Sequence, residues 1–180
     1  MRFIALLLAS VLGFASSAHA EAPTKGFRYS LDVGGIAMHG DLNNQGTKVG
    51  AGFGATYQFN DRYSLELVYI GSSFEDVDHR AFDIGASWYH PDVAEDFHTS
   101  AGFSFIHNDF KLLSRSGDAA GIYLGLGMSW EVATRLRLGY DIRFHKAFPS
   151  KATIAGVEVT TVTDSTSMMF SVSYAPDLSE

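Results

Sequence analysis

The sequence predicts an all-β protein, an eight-stranded antiparallel up-and-down barrel of the kind that spans a membrane. Three observations carry that reading. Apolar residues recur at every second position in eight segments, with no long stretch at the helical period of about 3.6 residues. All four prolines (Pro23, Pro91, Pro149, Pro176) fall outside those segments, as residues that cannot donate to a ladder should. Aromatic side chains gather at the same end of seven of the eight segments.

Taken in chain order, residues 1–20 form a separate unit. Arg2 precedes an apolar run from Phe3 to Ala15, and Ala18 and Ala20 supply the small residues of a signal-peptidase site, so residues 1–20 read as a cleaved signal peptide and 21–180 as one barrel domain. The run is shorter than the ~20 residues a spanning helix needs. The first strand carries Phe27, Tyr29, Leu31 and Val33 on its greasy side. The second carries Val49, Ala51, Phe53, Ala55, Tyr57 and Phe59, with Gly50, Gly52, Gly54, Thr56 and Gln58 between them. Tyr63 to Tyr69, Phe82 to Trp88, Phe97 to Phe105, Ile122 to Trp130, Leu136 to Phe144 and Met168 to Tyr174 repeat the pattern.

Connections alternate as well. Asn60-Asp61-Arg62 and Val132-Ala133-Thr134 read as tight turns, and His90–Asp96 falls at the same end. His39–Lys48, Gly71–Arg80, His107–Ala120 and His145–Ser165 read as long loops at the other. In the last, Val157, Val159 and Thr161 keep the two-residue period and Ala155-Gly156 suits a hairpin turn, so the final two strands are expected to continue as a ribbon beyond the membrane.

Composition removes several function classes. The 180 residues hold 13 Lys plus Arg against 20 Asp plus Glu, a formal charge of −7, and no Cys. Loss of Arg2 with the leader makes the balance 12 against 20, or −8. There is no basic footprint for nucleic acid, no phosphate-binding glycine loop and no thiol for a disulfide or thiolate metal.

The same alternation builds a soluble barrel if the greasy face points inward. Three features oppose that. Phe27, Tyr29, Tyr57, Phe59, Tyr63, Trp88, Phe97, Trp130 and Tyr174 form a girdle at the short-turn end, as at a membrane interface. The other face is rich in Gly and Ser, small enough for a narrow lumen. The strands approach the ~9 to 11 residues that cross a bilayer at a tilt.

With these features the chain resembles the small eight-stranded outer-membrane barrels of the OmpA/OmpX type over its whole mature length. The last strand ends in an aromatic, Tyr174, although Ala175 to Glu180 follow it. The resemblance implies a Gram-negative outer membrane, short periplasmic turns, both termini periplasmic, long extracellular loops, and a monomer. Its implied partners are outer-membrane lipid and lipopolysaccharide, the barrel-insertion machinery, and an extracellular ligand or host surface. No cofactor is expected. The expected role is structural or in surface interaction through the loops, with a lipid A-modifying enzyme and a narrow gated channel as the other open classes.

Two constellations bear on those alternatives. The resemblance implies that a lipid A deacylase of this architecture carries a His-x-Ser pair with an acidic partner, but Ala147 stands two residues after His145, where the nucleophile belongs. His39, His79, His107 and His145 each fall near the base of a different long loop, and convergence would suit zinc or copper, although no local pair fixes two ligands. Inside the barrel, parity places Arg28, Asp32, Glu66, Asp83, Glu131, Arg135, Arg137, Asp141 and Arg143, with His98. So many charges in a narrow lumen should pair, and the expected outcome is a plug of ion pairs rather than an open path. Turn parity expects Glu131 opposite Arg135, with Arg137 one diagonal step away, and Arg28, Asp32 and Glu66 toward the same end.

Overall fold

The period-2 segments become eight long strands that close on one another. The architecture comes from a computed structural model that describes residues 25–41, 46–94, 96–111, 115–154 and 157–176. The expected leader, residues 1–20, and the expected turn at Ala155-Gly156 lie outside the described residues. The barrel strands are β1 (Gly26–Met38), β2 (Thr47–Gln58), β3 (Tyr63–Ser73), β4 (Val77–Tyr89), β5 (Phe97–Phe110), β6 (Arg115–Ala133), β7 (Leu136–Ala147) and β10 (Ser165–Tyr174). Each pairs antiparallel with its neighbours, and β1 pairs with β10 from Tyr29↔Tyr174 to Met38↔Ser165, so no edge strand is left open.

Which face points outward is settled by burial. Leu31 is 71% exposed and Phe103 65%, whereas Asp83 is 0%, Glu66 5% and Arg143 5% exposed. A water-soluble barrel would bury the first pair and expose the others; only a lipid surround makes this inversion favourable. Phe27, Tyr29, Phe59, Tyr63, Trp88 and Tyr174 all stand exposed at the end where β1 begins and β10 finishes, here the terminal end of the barrel, with Phe27 edge-on to Tyr57 and Tyr63 stacked on Trp88. Tyr57, Phe97 and Trp130 complete this girdle, half-buried among their neighbours.

Two expectations about connections are corrected. Gly71–Arg80 is not a long loop: β3 and β4 stay paired to Ser73↔Asp78, and Phe74 donates to Val77 across a tight tip. His107–Ala120 is likewise mostly ladder, paired out to Phe110↔Arg115. Outward positions beyond the lipid band turn polar there (Arg80, His107, Asp118), so the apolar alternation stops although the hydrogen bonding continues. The other two connections at that end, 39–46 and 148–164, are longer, and the second holds a two-stranded sheet of β8 (Ser150–Ile154) and β9 (Val157–Thr161). This ribbon is a separate sheet rather than a continuation of β7 and β10, because Pro149 has no N–H to carry the ladder on.

The turn between β6 and β7 is also displaced. Trp130 pairs with Leu138 and Glu131 with Arg137, Val132 is an extra bulged residue, and Ala133 meets Leu136 around Thr134-Arg135. Arg135 adopts φ 70°, the left-handed conformation this reversal requires.

Candidate functional site

Alternation sends every second side chain inward, and in a closed eight-stranded barrel those side chains fill the interior. They fall into layers. Nearest the terminal end, Arg137 on β7 donates to Asp96, in the connection before β5, at 2.7 Å, and lies 3.7 Å from Glu131 on β6. Mid-barrel, Arg143 on β7 forms a forked pair with Glu66 on β3, Nη1 to Oε1 at 3.0 Å and Nη2 to Oε2 at 3.2 Å. Glu66 also accepts from the Tyr123 hydroxyl at 2.6 Å and from Ser87 at 3.0 Å, so both its oxygens are engaged from three strands besides its own. Arg143 lies 3.6 Å from Asp83 and 3.9 Å from Asp141, and its guanidinium stacks over the Tyr123 ring. Two imidazoles complete the layer, with His98 donating to Asp141 at 3.0 Å and His145 to Asp83 at 2.9 Å.

Toward the far end the lumen becomes apolar. Ile36, Met38, Ile70, Phe74, Ile106 and Met169 pack into one cluster and are at most 3% exposed. A cavity of about 70 Å³ runs alongside the ionic layer, from Ile70 and Met169 of the apolar cluster past Asp141 and Arg143 to Arg28 and Ser173 toward the terminal end. That is room for a few water molecules.

The ion-pair expectation therefore meets the structure residue by residue. Glu66, Asp141 and Arg143 meet in one network, and Arg137 and Glu131 belong to a second contact nearer the terminal end. Asp32 accepts from Ser30 and faces the cavity with Arg28, rather than joining the network. Arg135 does not enter the lumen, because the bulge moves it into the turn, where it is exposed. Sequence reasoning missed Asp96, read as loop, and Tyr123, whose inward parity between Ile122 and Leu124 was the available signal. The apolar layer was missed too.

The four histidines do not converge. His79 and His145 are buried inside, bonded to Asn108 and Asp83, while exposed His39 bonds Thr166 and His107 faces outward between Asp109 and Asp118. Among the described residues no group of three or more His, Asp or Glu side chains has a metal-holding arrangement.

On the outer surface, registers align rows across β3, β4, β5 and β6. Tyr69, Phe82, Phe105 and Ala120 form the last apolar row, and Gly71, Arg80, His107 and Asp118 the row beyond it. Arg80 pairs with Asp109 at 2.8 Å, and His107 points Nδ1 at Asp118 (2.6 Å) and Nε2 at Asp109 (3.0 Å). With a carboxylate at each ring nitrogen, Asp118 foremost, the imidazole is held above its ordinary titration range. A groove of about 560 Å³ runs across these two rows.

Comparison with known proteins agrees with this architecture. In sequence, no curated protein matches the chain. Among solved structures it is similar to Neisserial surface protein A (NspA), with a TM-score of 0.59 and 18% identity over 84% of this chain and 97% of that one. It is also similar to OprG from Pseudomonas aeruginosa (0.58, 13% identity, 87% and 100% covered) and to the outer membrane protein AlkL (0.56, 15% identity, 91% and 96% covered). At these identities the likeness is one of fold. The family described as outer membrane protein beta-barrel domain matches residues 6–175, nearly the whole chain, and the protein belongs to that family of the Gram-negative outer membrane.

Proposed function

We propose that this barrel does not conduct through its lumen and has no enzymatic activity, and that it acts at the cell surface through the connections at its far end, with both termini in the periplasm. The observation that supports this best is the two-layer filling of the interior: the Arg143–Glu66–Tyr123 network across the middle and the apolar cluster around Ile70 and Ile106 above it. An ion would have to pass the paired guanidinium and then the apolar cluster. The enzymatic alternative loses its histidine, since His145 is buried in the lumen against Asp83, away from lipid, and Ala147 beside it is buried too. Beyond the last apolar row the described chain continues into the upper ends of β3 to β6 and the β8–β9 ribbon.

Planar-bilayer recording of the purified monomeric barrel tests the closed lumen: no unitary conductance is expected, and steady conductance from the wild type refutes it. For the surface role, residues 150–161 are replaced by a short Gly-Ser turn and adhesion of intact cells to cultured epithelial cells is compared. A fall in adhesion with an equally abundant, folded barrel is expected. Unchanged adhesion removes the ribbon from the proposal.

A further inference from the structure

The outward groove over β3 to β6 combines features that an ordinary stretch of lipid-facing wall does not. Its lower row is apolar and uneven, because Phe82 and Phe105 stand out from the sheet while Ala120 beside them does not. The row above is polar and graded along its length, with Arg80 at one end, His107 in the middle and Asp118 at the other. Neighbouring strands lie about 4.8 Å apart, so Arg80 and Asp118 are separated by roughly 10 Å across two strand spacings. Two residues along a strand, about 7 Å, separate the charged row from the apolar one. An amphiphile with its acyl chain over Phe82, Phe105 and Ala120 therefore presents its headgroup to Arg80, His107 and Asp118.

The partnering of those three residues narrows the headgroup. Arg80 gives Asp109 one nitrogen, Nη1, out of a guanidinium with five N–H donors. It is 44% exposed along its side chain and keeps the fork that matches a phosphate. His107 is fixed at both ring nitrogens, so it contributes positive charge rather than new hydrogen bonds. Asp118, bound to His107 through Oδ1 and with its side chain 85% exposed, offers acceptor capacity to hydroxyl or amide N–H groups and repels a second anion. Phosphate at one end and sugar hydroxyl or amide donors at the other describe a phosphorylated glycolipid.

We infer that the groove is a binding site for one phosphorylated glycolipid of the outer leaflet, with an acyl chain on the Phe82–Phe105–Ala120 row, a phosphate on Arg80 and sugar donors on Asp118. The leaflet follows from the orientation proposed above; the site itself does not depend on it.

Full-length barrel in a non-ionic detergent is titrated with lipid A by native mass spectrometry, alongside dephosphorylated lipid A, phosphatidylethanolamine and inorganic phosphate. Saturation at one lipid A is expected, with the dephosphorylated form about tenfold weaker, as loss of one charge-assisted contact implies. Arg80→Gln should weaken binding to a similar degree, and Ala120→Phe, which fills the groove, should weaken both forms of lipid A. Lys146→Gln, an outward cation outside the groove that pairs with Asp164, should bind as the wild type. Resistance of each folded variant to detergent at room temperature checks that the barrel is intact. Equal loss from Arg80→Gln and Lys146→Gln, or no saturation at one, would show a general charged belt and overturn the site. Displacement by inorganic phosphate alone would refute the acyl contact. Tighter binding of phosphatidylethanolamine would overturn the glycolipid assignment and point to the opposite leaflet, whereas failure of the surface role leaves every arm of this titration unaffected.

Discussion

Removing Arg143 should destabilise the barrel more than removing Glu66, the acid it grips. In Glu66→Gln the guanidinium loses its forked partner but keeps Asp83 at 3.6 Å and Asp141 at 3.9 Å, and the amide still offers an acceptor to Tyr123. Breaking one side of a buried pair costs ~3 to 5 kcal/mol, and the two remaining acids place this variant near about 3. Arg143→Met instead leaves Glu66, Asp83 and Asp141 without the cation they share, relieved only by His145 and His98, and belongs near about 5 kcal/mol. Combining both changes should recover on the order of 1 kcal/mol relative to Arg143→Met alone, since one uncompensated carboxylate is gone. Urea unfolding of barrels refolded into lipid vesicles, followed through the fluorescence of Trp88 and Trp130, measures all three. Glu66→Gln costing as much as Arg143→Met, or both below about 1 kcal/mol, would mean that lumen water screens the network and that the three acids do not depend on one cation.

Phe53 faces lipid and stacks on Tyr69 at 5.3 Å, so Phe53→Arg should cost ~2 to 4 kcal/mol in the same assay, whereas Thr56→Ser in the lumen stays near neutral. Glu131→Gln should cost less than about 1 kcal/mol, because the carboxylate is one-third exposed and 3.7 Å from Arg137; Asp96→Asn, which breaks the buried 2.7 Å contact, should cost several times more. His107 should titrate above the ordinary imidazole range by NMR, and Asp118→Asn should lower its midpoint. Because the folded value is the raised one, its contribution to the hairpin is complete below the unfolded value and fades as pH climbs through the folded one; a midpoint at or below the ordinary range contradicts the bracketing by two acids. Trypsin added to intact cells should cut after Lys111 or Arg115, and cleavage only after the outer membrane is permeabilised would reverse the orientation.

Lipid made most of the fold legible. Every outward position within the hydrocarbon must be apolar, so Leu31, Phe53, Phe103 and Leu124 announce strand and face together. Beyond the band that constraint lapses. Arg80, His107 and Asp118 occupy the same outward face in unbroken ladder, yet in sequence they resemble loop. The lumen was half legible. Arg143, Asp141 and Glu66 stand out by parity, but Ile36, Ile70 and Ile106 share that parity and simply blur the alternation where they cap the interior. Arg135 was misplaced because the extra residue at Val132 moves the turn to Thr134-Arg135, so Glu131 meets Arg137, two residues further on, and Arg135 is left outside the ladder. Gly52 was read as making room in the lumen; a Cβ there would also meet the Tyr69 carbonyl oxygen, so its smallness serves strand packing as well.

Asp164 sits where the ribbon joins the barrel and ties that junction from several sides. Its carboxylate takes the Ala147 N–H at 3.0 Å and the Lys146 ammonium at 2.6 Å, and its carbonyl takes the His39 N–H at 2.8 Å. Above it the Asp41 carboxylate receives the Val162 N–H. With Pro149 interrupting the ladder on the other side, a change of length or composition between residues 150 and 161 cannot shift the pairing of β7 against β10. The ribbon can thus take up insertions as readily as substitutions, while the strands beneath it remain under the separate and unchanging demands of lipid.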